Sequence, residues 1–170
     1  MLDNNIKASP AKIDDVCQDW VDALNNPEIV KYSNQRFRKH SISSQTSFLE
    51  KKIADKSSRI FIFKNDNEMI GVGEISKIDF KNLNAEISYM IINERFWGKG
   101  IGTQIVQKLI LIGFSELNLK KLYAGTNSSN IGSQKVLKKN AFQIEGTQKK
   151  HLITDEGFED KILFGLVRST

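Results

Sequence analysis

Apolar residues recur at helical spacing through the first third of the chain. Val16, Trp20 and Leu24 fall on one face of a helix, which predicts an amphipathic helix in this segment. Pro27 then opens a short second helical turn, and a serine cap followed by an apolar stripe predicts a third helix. The predicted helical segments cover residues 14–26, 27–33 and 41–58.

From residue 59 the repeat of apolar positions shortens towards two, which is typical of β-strands. Two polar turns, "NDNE" and "KNLN", divide this region into three runs. Because short turns join antiparallel neighbours, we predict a three-stranded meander. Its strands cover residues 59–64, 69–80 and 84–92.

The second half of the chain alternates between helical and strand patterns. The strand–helix–strand unit over 84–126 predicts a right-handed parallel crossover inside a mixed sheet. No repeat, low-complexity run or linker interrupts the pattern, so we predict one domain over residues 1–170 with an α/β (α+β) fold. The remaining segments are helices over 103–118 and 130–140, and strands over 120–126, 141–153 and 160–167.

Composition and charge exclude some classes of function but do not select a single one. The 170 residues are 39% hydrophobic and 26% charged, as in ordinary globular proteins. The net charge of +5 would suit an acidic ligand such as a nucleotide or a phosphate. Acidic residues are interleaved with the basic ones, however, so we expect no nucleic-acid partner.

Cysteine and histidine are too few for several classes of site. Cys17 is the single cysteine, which excludes an intrachain disulfide and a CxxC metal site. With only His40 and His151 available, a His-rich zinc site is not expected, and we predict no metal. No apolar run reaches the length of a signal peptide or a membrane span, so we predict a cytoplasmic protein without a membrane partner.

Three glycines stand at every second position in "RFWGKGIGTQ" (95–104), between a predicted strand and a predicted helix. The N–H groups and the dipole of a helix start form an anion site, and glycine lets a phosphate approach the backbone closely. The segment lacks the GxxxxGK[ST] spacing of a P-loop. It also fails the GxGxxG dinucleotide spacing, because Thr103 and Ile105 occupy the positions of the last glycine.

The same segment resembles the GNAT superfamily of N-acetyltransferases. Gly100-Ile101-Gly102 ends a match to the family's pyrophosphate loop, Q/R-x-x-G-x-G/A, and "LYAGTNSSNIGSQKVLKKNAF" is similar to its fifth strand and fourth helix. The two motifs cover residues 84–142 in the family's order, and "AEISYMI", "WGKGIGT" and "NSSNIGSQKVLKK" are most similar to the RimJ/RimL kind. The resemblance implies a mostly antiparallel sheet with helices on both faces and a splayed strand 4/strand 5 pair. It also implies acetyl transfer from acetyl-CoA to a primary amine.

For the acetyl donor, the resemblance implies a site made mainly of backbone. A bulge near the end of the fourth strand would splay it from the fifth, and a free N–H near Ile91–Ile92 would polarise the thioester carbonyl. Asn130 would contact the pantetheine arm, although a plain helix N-cap would look the same in sequence. Lys99 would screen the phosphates or lie solvated. The implied pyrophosphate loop consists of Trp97, where the family often has a polar residue, and of Gly98, Lys99, Gly100, Ile101, Gly102 and Thr103.

Two residues are candidates for the chemistry. Strand alternation turns Glu86 away from the main core, towards the side where the family has its acceptor groove, so we predict it as the general base; the alternative is a salt-bridged strand glutamate. Ser133 lies one turn after Asn130 and is predicted to hydrogen-bond the departing sulfur. Leu137 replaces the tyrosine acid that the family often has there, and Ala141 replaces a usual glycine.

The acceptor stays open between a protein N-terminal amine and a small-molecule amine such as a polyamine. An amino-sugar of a bacterial glycan pathway is an alternative, because Arg36, Arg38, Lys39 and His40 would suit an acidic nucleotide-sugar if they are not simply a solvated loop. A non-catalytic acyl-CoA sensor on the same fold is a further alternative, and net charge alone suggests an RNA-binding module. Family members are often homodimers, but no feature of the sequence specifies an interface.

Overall fold

Seven strands form one mixed sheet in the computed structural model, which describes residues 6–169. The order across the sheet is β1-β2-β3-β4-β5-β7-β6, and every neighbouring pair is antiparallel except the parallel pair β4–β5. The strands are β1 (Lys7–Pro10), β2 (Arg59–Asn65), β3 (Glu68–Asp79), β4 (Asn84–Ile91), β5 (Lys121–Asn127), β6 (Gln143–Thr154) and β7 (Gly157–Val167).

Five α-helices accompany the sheet within the described residues, and local chemistry starts several of them. The Ser41 hydroxyl accepts a hydrogen bond from the Ser44 N–H at 3.2 Å, and the Asn26 side chain accepts one from the Glu28 N–H at 3.0 Å. A π-helical turn extends the fourth helix over Ile112–Glu116. The helices are α1 (Gln18–Asn25), α2 (Pro27–Val30), α3 (Ile42–Ala54), α4 (Ile101–Leu111) and α5 (Ile131–Lys139).

Hydrophobic clusters cover the two faces of the sheet. On one face the buried side of α4 packs on strand residues that include Ile75 and Ile87. On the other face α1 and α3 contribute Trp20, Leu24 and Leu49 to a smaller cluster. The predicted mixed sheet with helices on both faces is therefore confirmed. No helix within residues 6–169 is long and apolar enough to cross a membrane.

The structure differs from the predicted elements near the N-terminus. Strand β1 was not predicted, because its sequence "KASP" has no apolar alternation; it pairs with β2 through the backbone. Helix α1 begins at Gln18, so Val16 precedes it. Ile53 belongs to the apolar stripe from which α3 was predicted, but it is 53% exposed, because Gln45 and Leu49 form the buried face of the helix.

The sheet opens between β4 and β5. Their parallel pairing covers only three positions, from Asn84↔Lys121 to Glu86↔Tyr123, whereas β4 continues along β3 as far as Ile91. The predicted splay is therefore present. The bulge expected near the end of β4 is not seen in its pairing with β3, which keeps one register from Glu86 to Ile91 and shifts only between Ser76 and Asp79.

Candidate active site

A cavity of about 760 Å³ lies where β4 and β5 diverge. It is lined from both faces of the sheet, which is possible because the strands are apart at this point. We call its two parts the donor side and the acceptor side. The donor side consists of the segment 96–103 and the residues of α5 with its cap; the acceptor side consists of residues of α1, α2, α3, β2 and β3.

The glycine loop on the donor side has an unusually bare backbone. Gly98 has φ +72° and Gly100 has φ +80°, a region that residues with a side chain rarely adopt, and nothing lies within 4 Å of where a β-carbon would stand. Gly100 is the N-cap of α4, and no side chain caps this helix. The first-turn N–H groups therefore face the cavity mouth without an intrahelical acceptor, as an anion site requires.

The other predicted loop residues take different positions. Trp97 lines the cavity and is 41% exposed, so it is not a core aromatic. Lys99 is exposed and is absent from the cavity wall. The side chain of Ile101 is buried in the main core, which leaves only its backbone for a ligand. Gly102 and Thr103 line the cavity at the start of α4.

The end of β4 presents one of the two N–H groups that were predicted to be free. The Ile92 N–H donates to the Ile70 carbonyl at 3.1 Å, so Ile92 is not a free donor; its side chain is buried in the cluster on the acceptor face. This bond makes Gly71↔Ile91 a non-hydrogen-bonded antiparallel pair. The Ile91 N–H therefore points away from β3, into the gap beyond the last β4–β5 pair.

Helix α5 brings two predicted residues to the donor side. The Asn130 side chain caps the helix by accepting a hydrogen bond from the Ser133 N–H at 3.1 Å, and both residues line the cavity. Leu137, at the position where a tyrosine was considered, is buried in the main core and has no access to the cavity.

Glu86 lies apart from these residues. Its carboxylate pairs with the Lys77 ammonium at 2.6 Å, and this hydrogen bond and charge raise the pKa of Lys77. Glu86 lies on the face that was predicted, but it is not among the residues that line the cavity. The position agrees with the alternative interpretation, a salt-bridged strand glutamate.

A carboxylate that sequence reasoning missed lies in the cavity instead. Glu74 of β3 stands directly opposite Ser88 of β4 and lines the acceptor side. Its Oε1 accepts hydrogen bonds from Lys52 Nζ at 2.6 Å and from Ser58 Oγ at 2.8 Å. Among residues 6–169 both bonds fall on Oε1, which leaves Oε2 for a ligand. The available signal was an acidic residue in the middle of an apolar strand.

Gln45 of α3 is a second residue that was missed. It is only 4% exposed and lines the acceptor side beside Phe48. A glutamine on the buried stripe of an amphipathic helix was the signal for it, because an amide is rarely buried without a polar partner. Glu28 of α2 adds a second carboxylate to this side of the cavity, and Lys31 adds a cation.

The basic segment before α3 does not reach the cavity. Arg36 donates to the Ser33 carbonyl at 3.0 Å and to the Ile153 carbonyl, and the His40 ring lies 3.1 Å from the Gln35 carbonyl. Arg36, Arg38, Lys39 and His40 are all absent from the cavity wall. An acidic acceptor would therefore find little positive charge from this segment.

Comparison with known proteins identifies the family. Residues 7–143 match the acetyltransferase (GNAT) domain, so the chain belongs to this family. It is 33% identical over 161 residues to the uncharacterized N-acetyltransferase p20 of Bacillus licheniformis, covering 91% of this chain and 86% of that protein. It is 33% identical over 97 residues to the spermidine N(1)-acetyltransferase of Escherichia coli K12, covering 57% of this chain and 52% of that protein.

The fold has a similar neighbour among solved structures. RimL, a ribosomal L7/L12 alpha-N-protein acetyltransferase in complex with coenzyme A, matches with a TM-score of 0.87 over 98% of this chain and 96% of that chain, at 18% identity. The predictions of a GNAT fold and of an acetyl-CoA-dependent N-acetyltransferase are confirmed, and the assignment to the RimJ/RimL kind within this family stays a prediction.

Proposed function

We propose that this protein transfers the acetyl group of acetyl-CoA to a primary amine on a small cationic molecule such as a polyamine. The distribution of charge along the cavity carries the proposal. Glu28 and Glu74 line the acceptor side, together with the buried amide of Gln45 and one cation, Lys31. Lys135 and Lys139 line the donor side, and no carboxylate is among the described residues that line it. Carboxylates favour a cationic acceptor, and lysines favour the phosphates of the donor.

The donor side offers groups that suit the phosphates and the pantetheine arm of coenzyme A. The open backbone at Gly98 and Gly100 would hold the diphosphate, and Asn130 would contact the pantetheine arm. Acetyl-CoA would supply an acetyl thioester. The Ile91 N–H, which faces the gap between the strands, would donate to the carbonyl oxygen as negative charge develops on it.

Glu74 is the base that the cavity favours. A lysine-like amine has a pKa of about 10.4, so at pH 7 its neutral form costs about 4 to 5 kcal/mol. Glu74 Oε2 would hold the ammonium and accept its proton, directly or through water, while Lys52 and Ser58 fix the carboxylate through Oε1. Glu86, predicted from sequence, remains the rival candidate; its pairing with Lys77 and its place outside the cavity weigh against it.

Thiol release from acetyl-CoA measures the reaction with any acceptor. The purified protein would be assayed with polyamines, with peptides that begin with alanine or serine, and with free and nucleotide-linked amino sugars. The spermidine acetyltransferase of Escherichia coli, which is 33% identical over 97 residues, makes spermidine the first amine to test. We expect kcat/KM to be highest for the polyamines, because their second charge can use Glu28.

Each other result of the thiol-release assay would point to a different function. A higher kcat/KM for peptide N-termini would replace the small cationic acceptor with a protein amine. Preference for a nucleotide-linked amino sugar would contradict the charge argument itself. If no amine releases thiol although coenzyme A binds tightly, the protein is an acyl-CoA sensor and the enzymatic proposal fails.

A further inference from the structure

We propose that Tyr89 supplies, through the Ser133 hydroxyl, the proton that the coenzyme A sulfur receives when it leaves. The inference rests on the proposed function, since it concerns the leaving group of the same acetyl transfer. It assigns a proton donor on β4, in a position that no sequence motif indicated.

The geometry holds the Tyr89 ring between the glycine loop and α5. A β-carbon at Gly102 would lie 3.1 Å from Tyr89 Cε2 and 3.4 Å from its hydroxyl oxygen, so the ring packs directly on the start of α4. Its hydroxyl lies next to the Ser133 side chain, whose proximity offsets part of the effect of burial on the pKa of the phenol. Both residues line the cavity. The phenol is thus fixed next to the residue predicted to contact the sulfur.

The chemistry explains why a serine alone is not enough. A serine hydroxyl is far too weak an acid to protonate a thiolate whose pKa is about 8.5, whereas a phenol with a pKa near 10 is much better matched. Burial raises the pKa of Tyr89, and the proximity of Ser133 opposes this shift without cancelling it. The phenol therefore stays protonated at neutral pH. Leu137, the alternative position on α5, carries no proton and is buried.

The proton and electron pairs balance over the reaction. The amine nitrogen forms a bond to the carbonyl carbon, and the C–S bond breaks with its electron pair on sulfur. Ser133 gives its hydroxyl proton to the sulfur and takes one from Tyr89, which is left as a phenolate. The phenolate recovers a proton from solvent as the amine gives its proton to the base. The net products are an N-acetyl amine and a free thiol.

The protein provides its own matched control. Tyr123 of β5 is also a partly buried tyrosine whose pKa is raised, first by burial and then by the charge of Glu86. It is absent from the cavity wall. Loss of its hydroxyl should therefore alter the sheet to a similar degree without touching the leaving group.

The test uses Tyr89→Phe, Ser133→Ala and Tyr123→Phe in the full chain. We expect kcat of Tyr89→Phe and of Ser133→Ala to fall by about tenfold to a hundredfold, at or below the lower limit for general acids because a thiolate leaves tolerably unaided. The KM for acetyl-CoA and the activity of Tyr123→Phe should stay close to wild type. The double variant should lose little more than either single variant, because the two hydroxyls act in series.

Equilibrium binding provides a readout that needs no acceptor. Calorimetry would compare coenzyme A with desulfo-coenzyme A, which lacks the sulfur. We expect wild type to prefer coenzyme A by about fivefold, as one hydrogen bond would give. Ser133→Ala should lose this preference, and Tyr89→Phe should weaken it, because the Ser133 hydroxyl then lacks the phenol that orients it. Thermal unfolding of each variant, compared with wild type, verifies that the isosteric change leaves the fold intact.

Several outcomes would overturn the proposal. They are an unchanged kcat in Tyr89→Phe, an equal loss in Tyr123→Phe, an effect in Tyr89→Phe without one in Ser133→Ala, and an unchanged preference for coenzyme A. Failure of the proposed function would look different, because wild type itself would then acetylate no amine. The binding comparison would still decide whether Tyr89 serves the sulfur.

Discussion

The donor and acceptor sides of the cavity are built in different ways. The donor side comes from two short segments, 96–103 and 130–139, and much of it is backbone held by glycine conformation and helix starts. The acceptor side collects single side chains from α1, α2, α3, β2 and β3. A backbone site leaves a local spacing in the sequence, whereas a site of scattered side chains exists only after the chain has folded.

The largest expected effect tests which carboxylate serves the acceptor side. Glu74→Gln keeps the shape of the side chain but removes the base, so we expect kcat to fall by about a hundredfold or more, with little change in the KM for acetyl-CoA. Glu86→Gln is the matched variant on the next strand and should retain most of the activity, since its carboxylate serves Lys77. Steady-state kinetics with the best amine would measure both.

If Glu86→Gln lowered kcat more than Glu74→Gln, Glu86 would be the general base, as strand alternation predicted. Lys52→Met offers a further check, because it removes the ammonium at Oε1 without touching the oxygen that we assign to the acceptor.

The next largest effect should fall on the donor side. Gly100 has φ +80° and caps α4, so Gly100→Val would strain the loop by about 1 to 2 kcal/mol and place methyl groups at the phosphate position. We expect the Kd for coenzyme A to rise by about tenfold or more, measured by calorimetry. Gly157→Val is the matched control, because Gly157 also has a positive φ but lies in the β6–β7 turn, outside the cavity.

Equal losses of coenzyme A binding in the two glycine variants would mean that general destabilisation, not the loop, causes the effect. Wild-type affinity in a folded Gly100→Val protein would remove Gly100 from the donor site. Either result would break the argument that the donor side is a local backbone structure.

The contrast between local backbone structure and scattered side chains also explains what could be predicted from the sequence. The meander, the crossover and the cap at Asn130 follow from local periodicity and turn chemistry, and the structure contains all three. Strand β1 and the role of Ile92 depend on which backbone groups pair across the sheet, and apolar alternation carries no information on that. The alternation placed Glu86 on the correct face but could not give its height along the strand relative to the cavity.

Glu74 and Gln45 show what could not be predicted from the sequence on the acceptor side. Each was visible as a polar residue inside an apolar pattern, yet only the packing of α3 against the sheet brings them to one cavity. Tyr89 alternates with Glu86 and Ser88 along β4, so strand alternation assigns it to the apolar core face. Its ring does pack on that face, and only the fold shows that its hydroxyl lies next to Ser133.

The smallest expected effect tests whether the donor side depends only on its own two segments or also on residues distant in sequence. Glu159 of β7 accepts hydrogen bonds from the side chains of Asn127 and Ser128, at 2.9 and 3.0 Å, and from the Ser129 N–H, and so fixes the segment that leads into Asn130. Burial opposes ionisation of Glu159, but the bonds from Asn127, Ser129 and Ser128 outweigh it and hold the pKa of Glu159 below its usual value. A strand thirty residues away in sequence therefore supports the donor side.

Glu159→Gln should raise the KM for acetyl-CoA by only about two- to fivefold, because one or two net hydrogen bonds are lost at a distance from the ligand. Since the folded pKa is lowered, the carboxylate stabilises the fold above its unfolded pKa of about 4.3, and this contribution disappears as pH falls through the folded value. Urea unfolding of wild type and Glu159→Gln should therefore differ at pH 6, and the difference should shrink as the pH falls below about 4.3. A difference that stays constant as the pH falls would mean that the Glu159 charge does not hold this segment, and the donor side would then be as local as its motif suggests.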